Sequence, residues 1–277
     1  MNHIEGEFTG CKEFTLYCQS WLPDNEPGTV LLVVHGLAEH SGRYMNLVNH
    51  FVPGGYAIYG FDQRGHGRSE GVRGYAERFS YFLSDLETFL GMVRGKHPDK
   101  KIFMVGHSVG GTVATAFAVD HHDEFDGLIL SGATLKVGAS VSPAVIAVAR
   151  VLSLLLPKIG VDKIDAAAIS QDKAVVDAYV NDPLVYRGKI RARLGAELLK
   201  AIQSLPEQMT RISLPVLIMH GAFDRLSDPQ GSQMAYDRVS SKDKTLKLYD
   251  GFYHEIFNEP GREQVFGDME GWLEGRV

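Results

Sequence analysis

The chain has 277 residues, 44% hydrophobic and 22% charged, the balance of a globular protein built as one domain with an insertion. Its 28 basic and 34 acidic side chains leave a net charge of −6, which argues against nucleic acid as a partner, since nucleic-acid binding leans on a basic surface. Two cysteines, Cys11 and Cys18, are too few for a metal centre and form no CxxC pattern, so they are read as free thiols in a reducing compartment.

Met1 to Glu7 carries no apolar signal-like core, and no apolar run reaches the ~18 residues that suggest a membrane span. The expectation is a cytoplasmic protein with at most peripheral membrane contact.

Turn chemistry at Thr9-Gly10 followed by loose alternation from Glu13 to Trp21 predicts an N-terminal β-hairpin whose second strand joins the sheet. Val30 to Val34 is a continuous apolar run, suited to a strand buried on both faces and hence to a parallel sheet. Tyr44, Leu47, Val48 and Phe51 recur at helical spacing. Tyr56 to Phe61 reads as the next strand, and the glycine-studded Asp62 to Ser69 as a loop. In that loop, Asp62 and Arg64 are expected to bond neighbouring loops and brace the sheet without doing chemistry.

Phe82, Leu86, Phe89, Leu90 and Val93 mark an amphipathic helix closed by His97-Pro98. Ile102 to Val105 is a strand, Thr112 to Val119 a helix, and Leu128 to Leu130 another strand. This alternation predicts an α/β fold with a mostly parallel central sheet and helices on both faces.

From about Lys136 to Arg211 no segment reads as a buried strand, and helices are expected over Ala144 to Leu156, Lys173 to Val180 and Arg193 to Gln203. The expected division is a core of residues 1–136, a helical cap over 137–211, and the rest of the core over 212–277. The first cap helix is apolar almost all round but too short to span a bilayer. It suits either packing on the core or a lid that guards a cleft and touches lipid surfaces. Strand signals resume at Val216 to Met219 and Leu246 to Tyr249, and Val265, Phe266, Met269, Trp272 and Leu273 mark a closing helix.

Between the Ile102 strand and its helix lies Gly106-His107-Ser108-Val109-Gly110, a Gly-x-Ser-x-Gly in the strand–turn–helix setting of a nucleophile elbow. A serine hydroxyl needs a base, and the base needs an acid to hold its tautomer. Active groups of an open α/β sheet collect at the carboxyl ends of strands. Asp224 and His254 each follow a late strand, and the order Ser108, Asp224, His254 is that of the α/β-hydrolases.

Asp228, before Pro229, reads instead as a helix cap. His220 reads as structural or cleft-lining, and His35 as a brace for the loop after its strand. His107 reads as a residue of the pocket floor, and His121-His122 as a solvated helix end. Backbone N–H groups of Leu37 and Val109 are expected to form the oxyanion hole. No cofactor or metal is called for.

The motifs resemble those of the monoacylglycerol lipases within the α/β-hydrolase fold. The resemblance rests on His35-Gly36-Leu37-Ala38-Glu39-His40-Ser41-Gly42-Arg43-Tyr44, the Asp62 to Ser69 loop, Gly106 to Gly111, Tyr179 to Leu184, His220 to Asp224 and Lys242 to Lys247. It covers nearly the whole chain, including the cap. It implies an esterase for a lipid with a single acyl chain, Ser108, Asp224 and His254 as the triad, and Leu37 and Val109 as oxyanion donors. It also implies a polar head site formed by Glu39, Arg43 and Tyr179, although Glu39 and Arg43 also suit a simple pair with each other. Ala38 and Val109 depart from the glycine and methionine common in the family. A broad carboxylesterase, thioesterase or lysophospholipase fits the same triad. A non-catalytic lipid-binding relative is disfavoured because all three triad members are present, and dehalogenases and epoxide hydrolases because they need aspartate at the elbow.

Overall fold

The computed structural model describes residues 1–138 and 143–277. The start of the expected cap, residues 139–142, lies outside them. The N-terminal hairpin consists of β1 (Asn2–Thr9) and β2 (Thr15–Leu22), paired antiparallel. The chain continues through β3 (Thr29–Val34), α1 (Met45–Phe51), β4 (Tyr56–Phe61), α2 (Ser80–Lys96), β5 (Lys101–His107), α3 (Val109–His121) and β6 (Gly127–Ser131). After the insertion come β9 (Val216–Gly221), α7 (Pro229–Arg238), β10 (Lys244–Tyr249) and α8 (Arg262–Glu274). The sheet order is β1-β2-β4-β3-β5-β6-β9-β10. Only the pairings of β1 with β2 and of β2 with β4 are antiparallel.

The apolar runs explain why the middle of the sheet is covered on both sides. Val30, Leu32 and Val34 of β3 pack with Phe89 of α2 and Phe117 of α3 in one core cluster. Leu31 and Val33 belong to a second cluster with Phe51 of α1 and Phe266 and Trp272 of α8. Successive strand side chains point to opposite faces, so a strand buried on both must be apolar throughout.

The insertion lies between β6 and β9 and contains α4 (Pro143–Leu155), β7 (Gly160–Asp162), α5 (Lys173–Asn181), β8 (Ile190–Arg191) and α6 (Ala192–Gln208). β7 and β8 pair antiparallel in a ribbon of their own. Its strands are too short to leave an alternating pattern in the sequence. α6 runs past Gln203 and includes Pro206. Its Leu194, Leu198 and Leu205 join the main core cluster, so this helix seats the insertion on the sheet domain. α5 begins at Asp172, whose carboxylate accepts the Ala174 N–H at 2.8 Å, an N-cap. Asp228 caps α7 in the same way, with Pro229 in its first turn.

The candidate active site

Ser108 sits between the end of β5 and the start of α3 with φ 53° and ψ −123°, a left-handed backbone that a non-glycine residue rarely adopts. The turn is held from both sides. Ser108 N–H donates to the Ser131 carbonyl, and the Ser108 carbonyl accepts from Thr134 N–H, each at 3.0 Å. A Cβ at Gly110 would stand 2.1 Å from the Val34 carbonyl oxygen, and one at Gly106 would stand 2.8 Å from Ala114 Cβ and from Gly111 Cα. The two glycines of the motif are therefore required by close approach of α3 to β3 and β5.

β9 and β10 deliver the other two groups. Ser108 Oγ lies 2.8 Å from His254 Nε2, and His254 Nδ1 lies 2.7 Å from Asp224 Oδ2. Asp224 is fixed by more than the histidine. Its Oδ2 accepts from His220 Nε2 at 2.9 Å, and its Oδ1 from the N–H groups of Leu226 and Ser227 at 2.8 and 3.0 Å. Burial alone would raise this carboxyl, but His254, His220 and their hydrogen bonds hold it far below the ordinary carboxylate range. For His254, burial favours the neutral ring, yet the Asp224 charge and hydrogen bond prevail, and its pKa is raised above the usual 6.5. The chain of contacts allows a proton to pass from Ser108 to His254 while the resulting imidazolium stays beside a carboxylate.

The loop after β3 faces the nucleophile. A Cβ at Gly36 would lie 2.9 Å from Ser108 Cβ, so backbone and nucleophile nearly touch there. Ala38 has φ 68°, in the left-handed region. Among the described residues, neither Leu37 N–H nor Val109 N–H has an intramolecular acceptor, and both residues line the cavity at Ser108. His35 steadies this loop from behind. Its Nε2 accepts Gln63 N–H at 2.9 Å, which leaves Nδ1 to donate to the Gly36 carbonyl at 2.7 Å. Asp62 takes the Ser41 and Arg68 N–H groups, each at 2.8 Å, and Arg64 bonds Asp85. These are the bracing roles expected of that loop.

The cavity has a volume of about 480 Å³. Much of its lining is aliphatic and comes from the insertion, with Ile164, Ile169, Leu198, Leu199 and Ile202 among the contributors. Glu39, Arg43, His107, Tyr179 and Glu255 supply one connected polar group. Arg43 bonds Glu39 at 3.1 Å and Glu255 twice, at 2.6 and 2.8 Å. Its guanidinium lies 4.7 Å from the centre of the Tyr179 ring. Tyr44 donates to Glu39 at 2.8 Å.

His107 bonds the Ser131 carbonyl at 2.9 Å, and its ring centre lies 4.8 Å from that of His254. Burial, then the neighbouring His254, lowers the His107 pKa to about 4, so this ring is neutral near pH 7.

The structure thus gathers Ser108, Asp224, His254, Leu37, Val109, Glu39, Arg43, His107 and Tyr179 around one cavity or directly behind it. Sequence reasoning missed Glu255, although it adjoins His254. It also missed the hydroxyl pair of Thr134 and Ser227, 2.7 Å apart, with Thr134 Oγ1 at 3.5 Å from Ser108 Oγ. The one available signal for Glu255 was its place beside His254 in the chain.

Comparison with known proteins agrees with this geometry. Residues 25–261 match the family described as serine aminopeptidase, S33. A monoacylglycerol lipase of Mycolicibacterium smegmatis is 39% identical over 269 residues, covering 97% of this chain and 96% of that protein. The solved monoacylglycerol lipase of Paleococcus ferrophilus superposes with a TM-score of 0.84 at 29% identity, covering 94% of this chain and 98% of its own. A soluble variant of the Saccharomyces cerevisiae monoglyceride lipase, solved with a substrate analogue, has a TM-score of 0.87 at 27% identity, covering 99% of this chain and 95% of its own. The chain is a serine hydrolase of the α/β-hydrolase fold and belongs to the serine aminopeptidase S33 family, alongside the monoacylglycerol lipases.

Proposed function

We propose that the protein is a monoacylglycerol lipase, with Ser108 as nucleophile, His254 as general base and Asp224 as the group that orients it. The observation that carries the reading is the Ser108–His254–Asp224 chain of 2.8 and 2.7 Å contacts opening on a cavity with both an aliphatic wall and a compact polar cluster. His254 takes the Ser108 proton as Oγ bonds the ester carbonyl carbon. The oxyanion is received by the N–H groups of Leu37 and Val109, which have no internal acceptor among the described residues. The carbon–oxygen bond to glycerol then breaks, and His254 returns the proton to the leaving glycerol oxygen. Water, losing a proton to His254, attacks the acyl-serine carbonyl; the acyl–Oγ bond breaks, His254 returns the proton to Ser108 Oγ, and the fatty acid leaves.

The aliphatic wall suits the acyl chain, and the described part of the insertion, from α4 to α6, acts as the lid over it. Glu39, Arg43 and Tyr179 border the glycerol head, with His107 beneath. The first helix of the lid is the contact to lipid surfaces. No helix among the described residues is long and apolar enough to cross a membrane. The two unpaired cysteines, Cys11 and Cys18, accord with work in a reducing, cytoplasmic compartment.

The test is a panel of monoacylglycerols of rising chain length, triacylglycerols, lysophosphatidylcholine and short p-nitrophenyl esters. Monoacylglycerols are expected to give the highest kcat/KM. A flat profile, or a preference for the lysophospholipid, overturns the substrate assignment. A fluorophosphonate probe that leaves Ser108 unlabelled overturns the mechanism.

A further inference from the structure

Arg43 is the sole buried cation of the polar cluster, and its charge is already spent. Nη1 and Nη2 form a two-point contact with the Glu255 carboxylate at 2.6 and 2.8 Å, and Nη1 also reaches Glu39 at 3.1 Å. The Tyr179 ring covers a face of the guanidinium. Asn258 donates to Glu255 at 2.8 Å and holds the carboxylate in its clamp. Gly36 N–H and the Tyr44 hydroxyl hold Glu39 at 2.6 and 2.8 Å.

One guanidinium against two buried carboxylates leaves one negative charge in excess. Among the described residues that line the cavity, nothing cancels it. His107 is neutral near pH 7. The His254–Asp224 pair is neutral when the ring is protonated and negative when it is not. Asp162 and Lys163, the other charged residues lining the cavity, are exposed and offset each other.

Resting on the lipase reading above, we propose that Glu255 makes the head site a charge filter. It occupies Arg43 so that neutral glycerol heads are accepted and anionic heads, those bearing a phosphate, are refused. A neutral diol finds acceptors and donors there at no Coulomb cost. A phosphate finds no free cation and an unbalanced carboxylate. One unit charge at about 6 Å, with an effective dielectric constant near 20, corresponds to roughly 100-fold in rate. The same excess charge favours departure of the fatty acid once its carboxylate forms.

The experiment compares kcat/KM for three soluble esters with one octanoyl chain: 1-octanoylglycerol, its 3-phosphate and its 3-galactoside. The galactoside is bulky but neutral and separates size from charge. The expected result is a phosphate ester slower than the galactoside by about 100-fold. Glu255→Gln should shrink that ratio by up to about 100-fold, because a neutral amide removes the excess charge. Equal rates for phosphate and galactoside overturn the filter, as does an unchanged ratio in a folded Glu255→Gln variant. If that variant fails to fold, the comparison of the three substrates on the unaltered protein still decides. Absence of turnover on 1-octanoylglycerol would instead overturn the lipase reading itself.

Discussion

The strand-end loops of the sheet domain and the inserted segment between β6 and β9 are held by different forces. β3, β5 and β6 are buried almost end to end, and the loops that leave them inherit that rigidity. Polar contacts tie the insertion to the loops. Tyr186 N–H donates to the Ala38 carbonyl at 2.8 Å, Asp182 meets His40 at 2.8 Å, and Glu197 accepts Phe79 N–H at 3.0 Å. α6 is the exception, driving leucines into the main core. At the other extreme, α4 leaves Leu154 and Leu155 exposed at 74% and 73%. The contrast separates two tasks. The triad and the polar cluster at the cavity sit on loops that the sheet over-determines, whereas much of the aliphatic wall comes from the insertion.

The sharpest way to break that division is at the nucleophile. Ser108→Ala should lower kcat on a monoacylglycerol by about 10⁴- to 10⁶-fold while leaving the fold intact. Single-turnover kinetics and circular dichroism check both halves. A variant that kept ester hydrolysis within 10-fold of the parent would remove the sheet-end loops from the chemistry.

Asp224→Asn comes next, with an expected loss in kcat of about 10³- to 10⁴-fold. The amide has one acceptor oxygen: turned towards His254 and His220 it sets its NH2 against the Leu226 and Ser227 N–H groups, and turned the other way it presents NH2 to His254. The pH profile sharpens the point. His254 acts as a base only when neutral, and its pKa lies above 6.5 because Asp224 stabilises the charged ring. Activity should therefore fall as pH drops through that raised value, by about 10-fold per unit below it. Removing the carboxylate should move this acid limb to lower pH. A limb that stays put in Asp224→Asn would mean that another group controls it.

Much of this site was legible in the chain because each triad member follows an apolar strand. A strand end is a local signal. Glu39 and Arg43 were singled out by the resemblance of the loop after β3 to the monoacylglycerol lipases, with a simple pair between them as the local alternative. Glu255 was not, because its partner Arg43 is 212 residues away and only the fold brings the loop after β10 beside the loop after β3. Thr134 and Ser227 escaped for the same reason: a lone hydroxyl carries no pattern. β7 and β8 were too short to show periodicity. The place of α6 in the main core also depended on the tertiary fold, since its apolar stripe does not say which surface covers it.

A smaller effect is expected on the insertion side. Replacing Leu154 and Leu155 together with glutamate should cut hydrolysis of dispersed long-chain substrate by about 5- to 10-fold, since the exposed apolar face loses its affinity for a lipid surface. Rates on a water-soluble p-nitrophenyl ester should change less than about 2-fold, and stability by no more than about 0.5 kcal/mol. Equal losses on both substrates would mean that α4 shapes the chemistry and would erase the contrast with the sheet domain.

The smallest effect falls where the two regions meet. Ala38 holds φ 68° next to Leu37, and its carbonyl receives Tyr186 from the insertion. A left-handed alanine costs about 1–2 kcal/mol relative to a relaxed backbone. Glycine would remove that strain but lose roughly 0.5–1 kcal/mol through its freer unfolded chain. Ala38→Gly should therefore raise stability by no more than about 1.5 kcal/mol, a shift in Tm of at most about 3–6 °C. If the strained turn helps aim the Leu37 N–H, the looser glycine should lower kcat on a soluble ester by several-fold, short of about 10-fold, with KM nearly unchanged. A rise in Tm with no loss of kcat would show that the Tyr186 contact and the His35 brace aim this amide without help from the alanine.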